Sequence, residues 1–468
     1  MKIKTIFHTI PATLAASILT LALAGIAHAD TLYVSGTGSD TNTGKSAASA
    51  FRTLKKAAAL VEPGDTVLIG DGTYGDTDTS GGSAVLNLTR PGRPDAWITW
   101  KAATGQRPVI RPSGWQGIAV RTSYQVLDGL TVLGNNDSIA LIDALKDAAA
   151  DKDGKVPPPN PRFNTNGITI EGRQNAPDNK PHHVVIRNCE VGRCAGGGIA
   201  VLEADYVTVE DCRIYENAWY SRYGCSGFTT LNNWAFDDKP GYHIIVRRNY
   251  VWNNKGLVPW NKIGKLSDGN GIILDVTDQA RAGANNPTGD AAAKPVTTPA
   301  TPAAPVVEVP KRPKWKGRAL IANNVSAFNG GSGIHTFRTR YVDIINNTTY
   351  WNGGVSNYEE LFANNSQDIN ILNNVIVPRP GGRVTSNNRN TNVRWDYNVY
   401  PTAQTVMVGP HDIVADPGLI IALPDPIKGN FTFTKNSPAL GSGTDEVGQA
   451  TNILGKPRTS GKRNRGAF

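Results

Sequence analysis

Long apolar runs, metal-binding cysteine patterns and aromatic residues are all in short supply in this chain. After the first thirty residues no stretch is long enough to cross a bilayer as a helix, which excludes a downstream span and implies a soluble mature protein. The four cysteines, all between Cys189 and Cys225, show no Cys/His spacing of a zinc site. Aromatics make up only 7% of the residues, whereas glycine (49) and proline (30) abound, as a turn-rich β-protein requires. Acid is the scarcer charge: 39 Asp and Glu against 48 Lys and Arg give a formal +9. Such an excess favours anionic partners, and charge alone admits acidic polysaccharide, nucleic acid or an anionic surface.

Residues 1–29 read as a secretory signal. Lys2 and Lys4 form the basic start, Leu14–Ile26 the apolar core, and Ala27-His28-Ala29 a small-residue cleavage site before Asp30. The expected location is outside the cytoplasm, secreted or periplasmic.

What the chain has in quantity is a degenerate repeat. Val184–Val191 (VVIRNCEV), Val207–Ile214 (VTVEDCRI), Ile244–Val251, Ala319–Ser326, Val342–Thr349 and Ile369–Ile376 (INILNNVI) share an aliphatic pair followed by polar residues rich in Asn and Asp. The anchors are Ile186, Val209, Val246, Ile321, Ile344 and Ile371, with steps of 23 residues from Ile186 to Val209 and from Ile321 to Ile344. A second strand opens ten residues before three of these anchors, at Ile199, Ile334 and Leu361. Ile168, Phe228 and Ile272 open similar strands with longer gaps. Fixed-period similarity of this length denotes stacked supersecondary units. Coils of this size predict an all-β, right-handed parallel β-helix with strands about 4.8 Å apart. The Asn run at 188, 323, 346 and 373 is expected to stack as a ladder at one turn. Cys189 and Cys212 occupy the same place in adjacent coils, where either a disulfide or a pair of buried thiols fits.

Residues 30–468 then form one solenoid domain. Within residues 30–75, Phe51, Leu54, Ala58 and Val61 recur at helical spacing, predicting a short helix that covers the first coil. Residues 430–468 are non-repetitive and are expected to close the last coils. Residues 279–313, rich in Ala, Pro and Thr, read as a disordered, dispensable excursion. Residues 136–165 read as a further insertion with a short helix.

The two ends carry a family resemblance. Tyr33–Gly44 (YVSGTGSDTNTG) with Ala50–Tyr74 (AFRTLKKAAALVEPGDTVLIGDGTY) resembles the opening of secreted bacterial parallel β-helix proteins, many of them polysaccharide lyases. Ser437–Asp445 with Gly466–Phe468 resembles their closing segment. Pectate lyases of family nine and the alginate and chondroitin lyases of family six share this architecture, and the family-nine enzymes use a Lys base and an Asp-rich calcium site. Ser267–Asp275 (SDGNGIILD) is loosely similar to the Asp-Gly strand of that family. The resemblance implies an acidic polysaccharide rather than nucleic acid as partner, a monomer, and cleavage by β-elimination.

Insertions locate a cleft. Extra residues precede the Gly-Ile-type strand at Trp219–Cys225, Lys255–Ser267 and Gly354–Glu360, and follow it at Arg173–Pro181, Asn232–Gly241 and 276–316. Two walls would flank a strand floor whose outward residues are Thr169, Glu171, Ile273, Asp275, His335 and Phe337. β-Elimination needs a base and positive charge on the uronate carboxylate. Lys265 is the first candidate base, His335 the second, and Arg338 the neutralising cation. Trp219, Arg222, Tyr223, Lys262 and Glu171 are candidate substrate contacts. Asp237, Asp238, Asp268 and Asp275 are candidate ligands for Ca²⁺, which takes six to eight oxygens. A glycoside hydrolase with paired carboxylates among Glu171, Asp268 and Asp275, or a non-catalytic glycan-binding solenoid, are the alternatives.

Overall fold

The computed structural model describes residues 29–76, 84–150, 154–277, 312–446 and 448–468; the leader and nearly all of the 279–313 excursion lie outside these. Three parallel sheets of eleven, nine and eleven strands run the length of the molecule. Each central coil contributes one strand to each, as in Ile199–Leu202, Asp205–Glu210 and Arg213–Tyr215. We term these the floor, anchor and back sheets. The winding is that of a right-handed parallel β-helix.

Every anchor residue stacks on the next: Ile186 on Val209, Val246, Ile321, Ile344 and Ile371 in turn. All six are fully buried in one continuous core with Ile168, Ile170, Ile272, Leu274 and Ile334. Because side chains alternate along each strand, the register that buries these also sets which residues face out.

The corners between sheets rely on left-handed backbone. Asn188, Asn323, Asn346 and Asn373 take φ of 54°, 55°, 55° and 58°. These are the asparagines expected to form the ladder, and the structure moves that ladder one residue on. The backbone N–H of Asn249 donates to Asn324 Oδ1 (3.0 Å), Asn324 to Asn347 (3.0 Å), Asn347 to Asn374 (2.9 Å) and Asn374 to Asn398 (3.0 Å). Each amide Nδ2 also donates to a carbonyl in the preceding coil, as Asn347 Nδ2 does to Ile321 O at 2.9 Å. The side chain at a left-handed corner cannot reach this position, so the corner and ladder roles fall to successive residues. A second ladder, Asn217–Asn254–Asn329–Asn352, follows the back sheet. Both begin beside cysteine, at Cys212 and Cys194, and both end on a carboxylate. Asp412 accepts from Asn398 N at 2.8 Å, and Glu360 accepts from the backbone and side-chain amides of Asn352. Both carboxyl groups end their ladders by accepting through their oxygens, with no further amide needed behind them.

Helix Leu54–Leu60, the expected cap, starts at Thr53, whose hydroxyl accepts from Lys56 N; it buries Leu54 and Ala57 on the first coils, whereas Ala58 is only partly buried and Phe51 and Val61 flank the helix. Helix Leu141–Ala148 packs through Ala144 in a cluster with Phe163, Tyr220 and Val258. The C-terminal segment packs on the last coils, with Ala439 against Val375, Val377 and Val399, and extends back over the outer face of the back sheet, where Phe431, Ile453 and Phe468 cover Val325 and Ala327. One expectation is corrected: the excursion ends earlier than 313, since Arg312 is buried and donates to Asn233 O (3.0 Å) and Val276 O (2.7 Å). Cys189 and Cys212 are buried free thiols.

Asn347→Ala would strand the Asn324 donors and Ile321 O in the interior. The expected cost is about 3 kcal/mol, read as a lower denaturation midpoint, because each orphaned group costs about 1–3 kcal/mol.

Candidate active site

The outward face of the floor sheet carries two rows fixed by strand register. One runs Thr169–Ala200–Thr229–Ile273–His335–Phe362. The other runs Glu171–Leu202–Leu231–Asp275–Phe337–Asn364. The outward assignment of Glu171, Asp275, His335 and Phe337 therefore holds.

His335 is 8% exposed, and neither ring nitrogen has a hydrogen-bond partner among the described residues. Its ring stacks on Phe362 with centroids 4.0 Å apart, and Tyr358 meets it edge-on at 6.3 Å. Burial alone drives its pKa down to about 3, so the imidazole is neutral at physiological pH.

Asp275 lies diagonal to it, one coil away and two residues along; strand spacing and rise put the Cα atoms roughly 8 Å apart. The Asp275 side chain retains 23% exposure on a floor ringed by protein. Burial raises its pKa to about 7, against the opposing charge of Arg338, whose guanidinium is 3.7 Å from Oδ1. Asp268 adds a further upward push. Arg338 sits at a left-handed corner (φ 52°), with its guanidinium 4.3 Å from the Phe337 ring centroid.

Asp268 closes the other side at φ 60°. Its carboxylate accepts from Ser267 Oγ at 2.9 Å and Asn270 Nδ2 at 3.3 Å, yet burial keeps its pKa raised. Tyr358 reaches across the wall to Ser267, with hydroxyls 3.1 Å apart. Asp268, Asp275, His335 and Arg338 are thus brought to one side of the solenoid, and Tyr358 joins them. Sequence reasoning passed over Tyr358, although it lies in the Gly354–Glu360 wall segment, where a large aromatic was itself a signal.

The remaining candidates are placed elsewhere or already engaged. Lys265 is exposed on a wall hairpin that pairs with Trp260, and Lys262 lies 5.9 Å over the Trp260 ring. Tyr223 is exposed on the same wall. Arg222 is buried and saturated: it donates to Asp147 (2.7 Å) and Pro157 O (2.8 Å), pinning the inserted helix to the solenoid. Trp219 donates to Asn253 O at 2.9 Å and lies under Lys255, whose ammonium is lowered by burial. Glu171 is held bidentate by Arg173 at 2.9 and 2.6 Å; burial would raise its pKa, but these bonds outweigh it. Three strand steps, roughly 14 Å, separate Glu171 from Asp275, beyond a hydrolase carboxylate pair.

The four aspartates do not converge. Asp237 accepts from Tyr206 Oη at 2.7 Å, and Asp238 pairs with Lys316, both bracing the turn after the floor strand. Among the described residues no three His, Cys, Asp or Glu side chains gather as a metal site. Asp268 and Asp275 do not by themselves fit Ca²⁺, and no step below is routed through one. Away from the floor, His243 is likewise engaged, bonding Asp205 (2.9 Å) and Lys239 O (2.9 Å) in the interior.

Comparison with known proteins bears on the fold. A family model described as a right handed beta helix region matches residues 116–276. The crystal structure of pectate lyase Pel9A superposes with a TM-score of 0.50 at 18% identity, covering 95% of this chain and 97% of that one. In fold, this chain resembles polysaccharide lyases. XylC in complex with xylose gives a TM-score of 0.42 at 11% identity, covering 94% and 98% of the two chains. The A-module of the Azotobacter vinelandii mannuronan C-5 epimerase AlgE4 gives 0.38 at 16%, covering 78% and 94%. No curated protein matches the chain.

Asp275 ionises near 3.8 when unfolded and near 7 when folded, so its ionisation opposes folding. The stability contributed by the protonated acid is complete below about pH 4 and is lost as pH rises through about 7. Asp275→Asn should therefore be more stable than the parent at pH 8, by at most about 4 kcal/mol, with the gain vanishing toward pH 4. Urea titrations across that range read it directly.

Proposed function

We propose that this protein is an exported polysaccharide lyase that cleaves a uronate-containing glycan by β-elimination on the floor-sheet face. The observation that carries the reading is His335: a neutral imidazole with both nitrogens unpartnered, on the outward row beside Asp275 and Arg338. A uronate bound across the floor would set its carboxylate against Arg338, which delocalises the charge of the enolate-like transition state. His335 takes the proton α to that carboxylate. The electron pair forms the C4–C5 double bond, the C4–O bond breaks, and Asp275 gives its proton to the departing oxygen. A carboxyl with a pKa of about 7 is matched to that task near neutrality. The low basicity of free His335 comes from desolvation, so an arriving anionic sugar raises it where it is needed. The positive excess of the chain draws such a polymer in.

Asp268 and Asp275, both raised and within electrostatic reach of each other, favour one second reading: hydrolysis by a carboxylate pair. The product separates the two, since elimination leaves an unsaturated, ultraviolet-absorbing sugar and hydrolysis does not.

On a panel of uronate polymers, His335→Ala should lose about 10²–10⁴-fold in kcat while remaining folded. Lys265→Ala, altered at an exposed wall position, should keep turnover, and parental activity should decline above about pH 7 as Asp275 ionises. Full turnover in His335→Ala, or its loss in Lys265→Ala, would reassign the base. Binding without cleavage at any pH would replace the lyase with a glycan-binding solenoid.

A further inference from the structure

The floor is not the only concavity suited to a sugar. Where the C-terminal segment folds back over the back sheet it leaves a cavity of about 610 Å³, inside the range of small-molecule sites (about 300–1,000 Å³). Trp351 and Tyr350 line it with nearly parallel rings, centroids 5.2 Å apart and planes 13° apart. Trp351 is 40% exposed, which leaves ring surface open to a ligand. Arg379 and Asp416 stand on the lining with opposite charges, and Pro401 and Pro417 stiffen its rim.

We propose that this cavity binds a neutral sugar residue of the glycan. The indole offers an apolar platform for the C–H face of a pyranose ring. The Asp416 carboxylate accepts from hydroxyls and the Arg379 guanidinium donates to ring or hydroxyl oxygens. The lining carries one charge of each sign and so offers a carboxylate-bearing sugar no net positive charge. The site is tied to the wall of the floor groove. Arg379 Nε donates to Gly353 O at 3.1 Å and its guanidinium also bonds Asn357, in the segment that presents Tyr358 to His335. One glycan could thus be gripped on both faces of that wall, a neutral unit in the cavity and a uronate on the floor. This deepens the reading above and rests on it for the identity of the polymer: the substrate is a heteroglycan with neutral residues.

The test follows the Trp351 indole N–H resonance of the full chain, identified by its disappearance in Trp351→Phe. Galactan- and xylan-derived neutral trisaccharides and a galacturonate trisaccharide serve as probes. A neutral trisaccharide should shift the Trp351 signal in the parent and equally in His335→Ala, with affinity about tenfold weaker in Asp416→Asn. The galacturonate trisaccharide should leave it in place. No shift with either neutral probe, or a shift with galacturonate only, overturns the proposal. Failure of the lyase reading appears separately, as absence of unsaturated product while the indole still responds.

Discussion

The structure depends on a hydrogen bond passed from coil to coil. A parallel solenoid buries the turns between its sheets, and each turn carries amide donors that no strand partner can satisfy. Asparagine answers this with one side chain that accepts from the neighbouring N–H and donates to a carbonyl behind. Two such files, sealed by Asp412 and Glu360, hold the corners in step. A slip of one residue would break both files and turn every floor residue inward. Register is therefore strongly determined, and the outward rows are placed with the rigidity of the core beneath them. Burial raises the Glu360 carboxyl to about 8 even with Asn352 donating to it, which marks how dry the ladder's end is.

That rigidity allows the floor to carry groups a surface strand would not keep. His335 buries two unsatisfied nitrogens, and Asp275 holds a carboxyl that resists ionisation. His335 opposes folding as pH falls and Asp275 as pH rises toward neutrality, and Arg338 offsets the burial of Asp275 only in part. Polar groups left short of partners over a well-determined scaffold are the usual signature of a site arranged for something else to bind. The wall residues differ in character: Arg222, Asp237 and Asp238 are paired and fasten the insertions, and Glu171 at the far end of the floor row is held by Arg173.

The solenoid was legible in the sequence because its core is written by repetition: all six anchors stack in the order in which they were aligned. The ladder was misplaced by one residue for a physical reason. Asn323–Asn324, Asn346–Asn347 and Asn373–Asn374 are doublets in which either residue suits a left-handed corner, and spacing cannot say which stacks. Arg248–Asn249 and Tyr397–Asn398 hold the answer, since only the second position remains asparagine there. The charged candidates were harder. Arg222 meets Asp147, 75 residues away in an insertion outside the repeat, so its pairing has no trace in periodicity. The floor residues His335 and Asp275 were readable from strand alternation, whereas their pKa values depend on how the walls fold over them.

The most direct measurement is amide hydrogen exchange of the His335→Ala chain with and without a uronate hexasaccharide. If the floor groove is the binding surface, exchange slows in the two wall segments, Lys255–Ser267 and Gly354–Glu360. Slowing confined to the hairpin at 419–433, or to the far corners of the anchor sheet, would contradict the account and move the uronate site elsewhere.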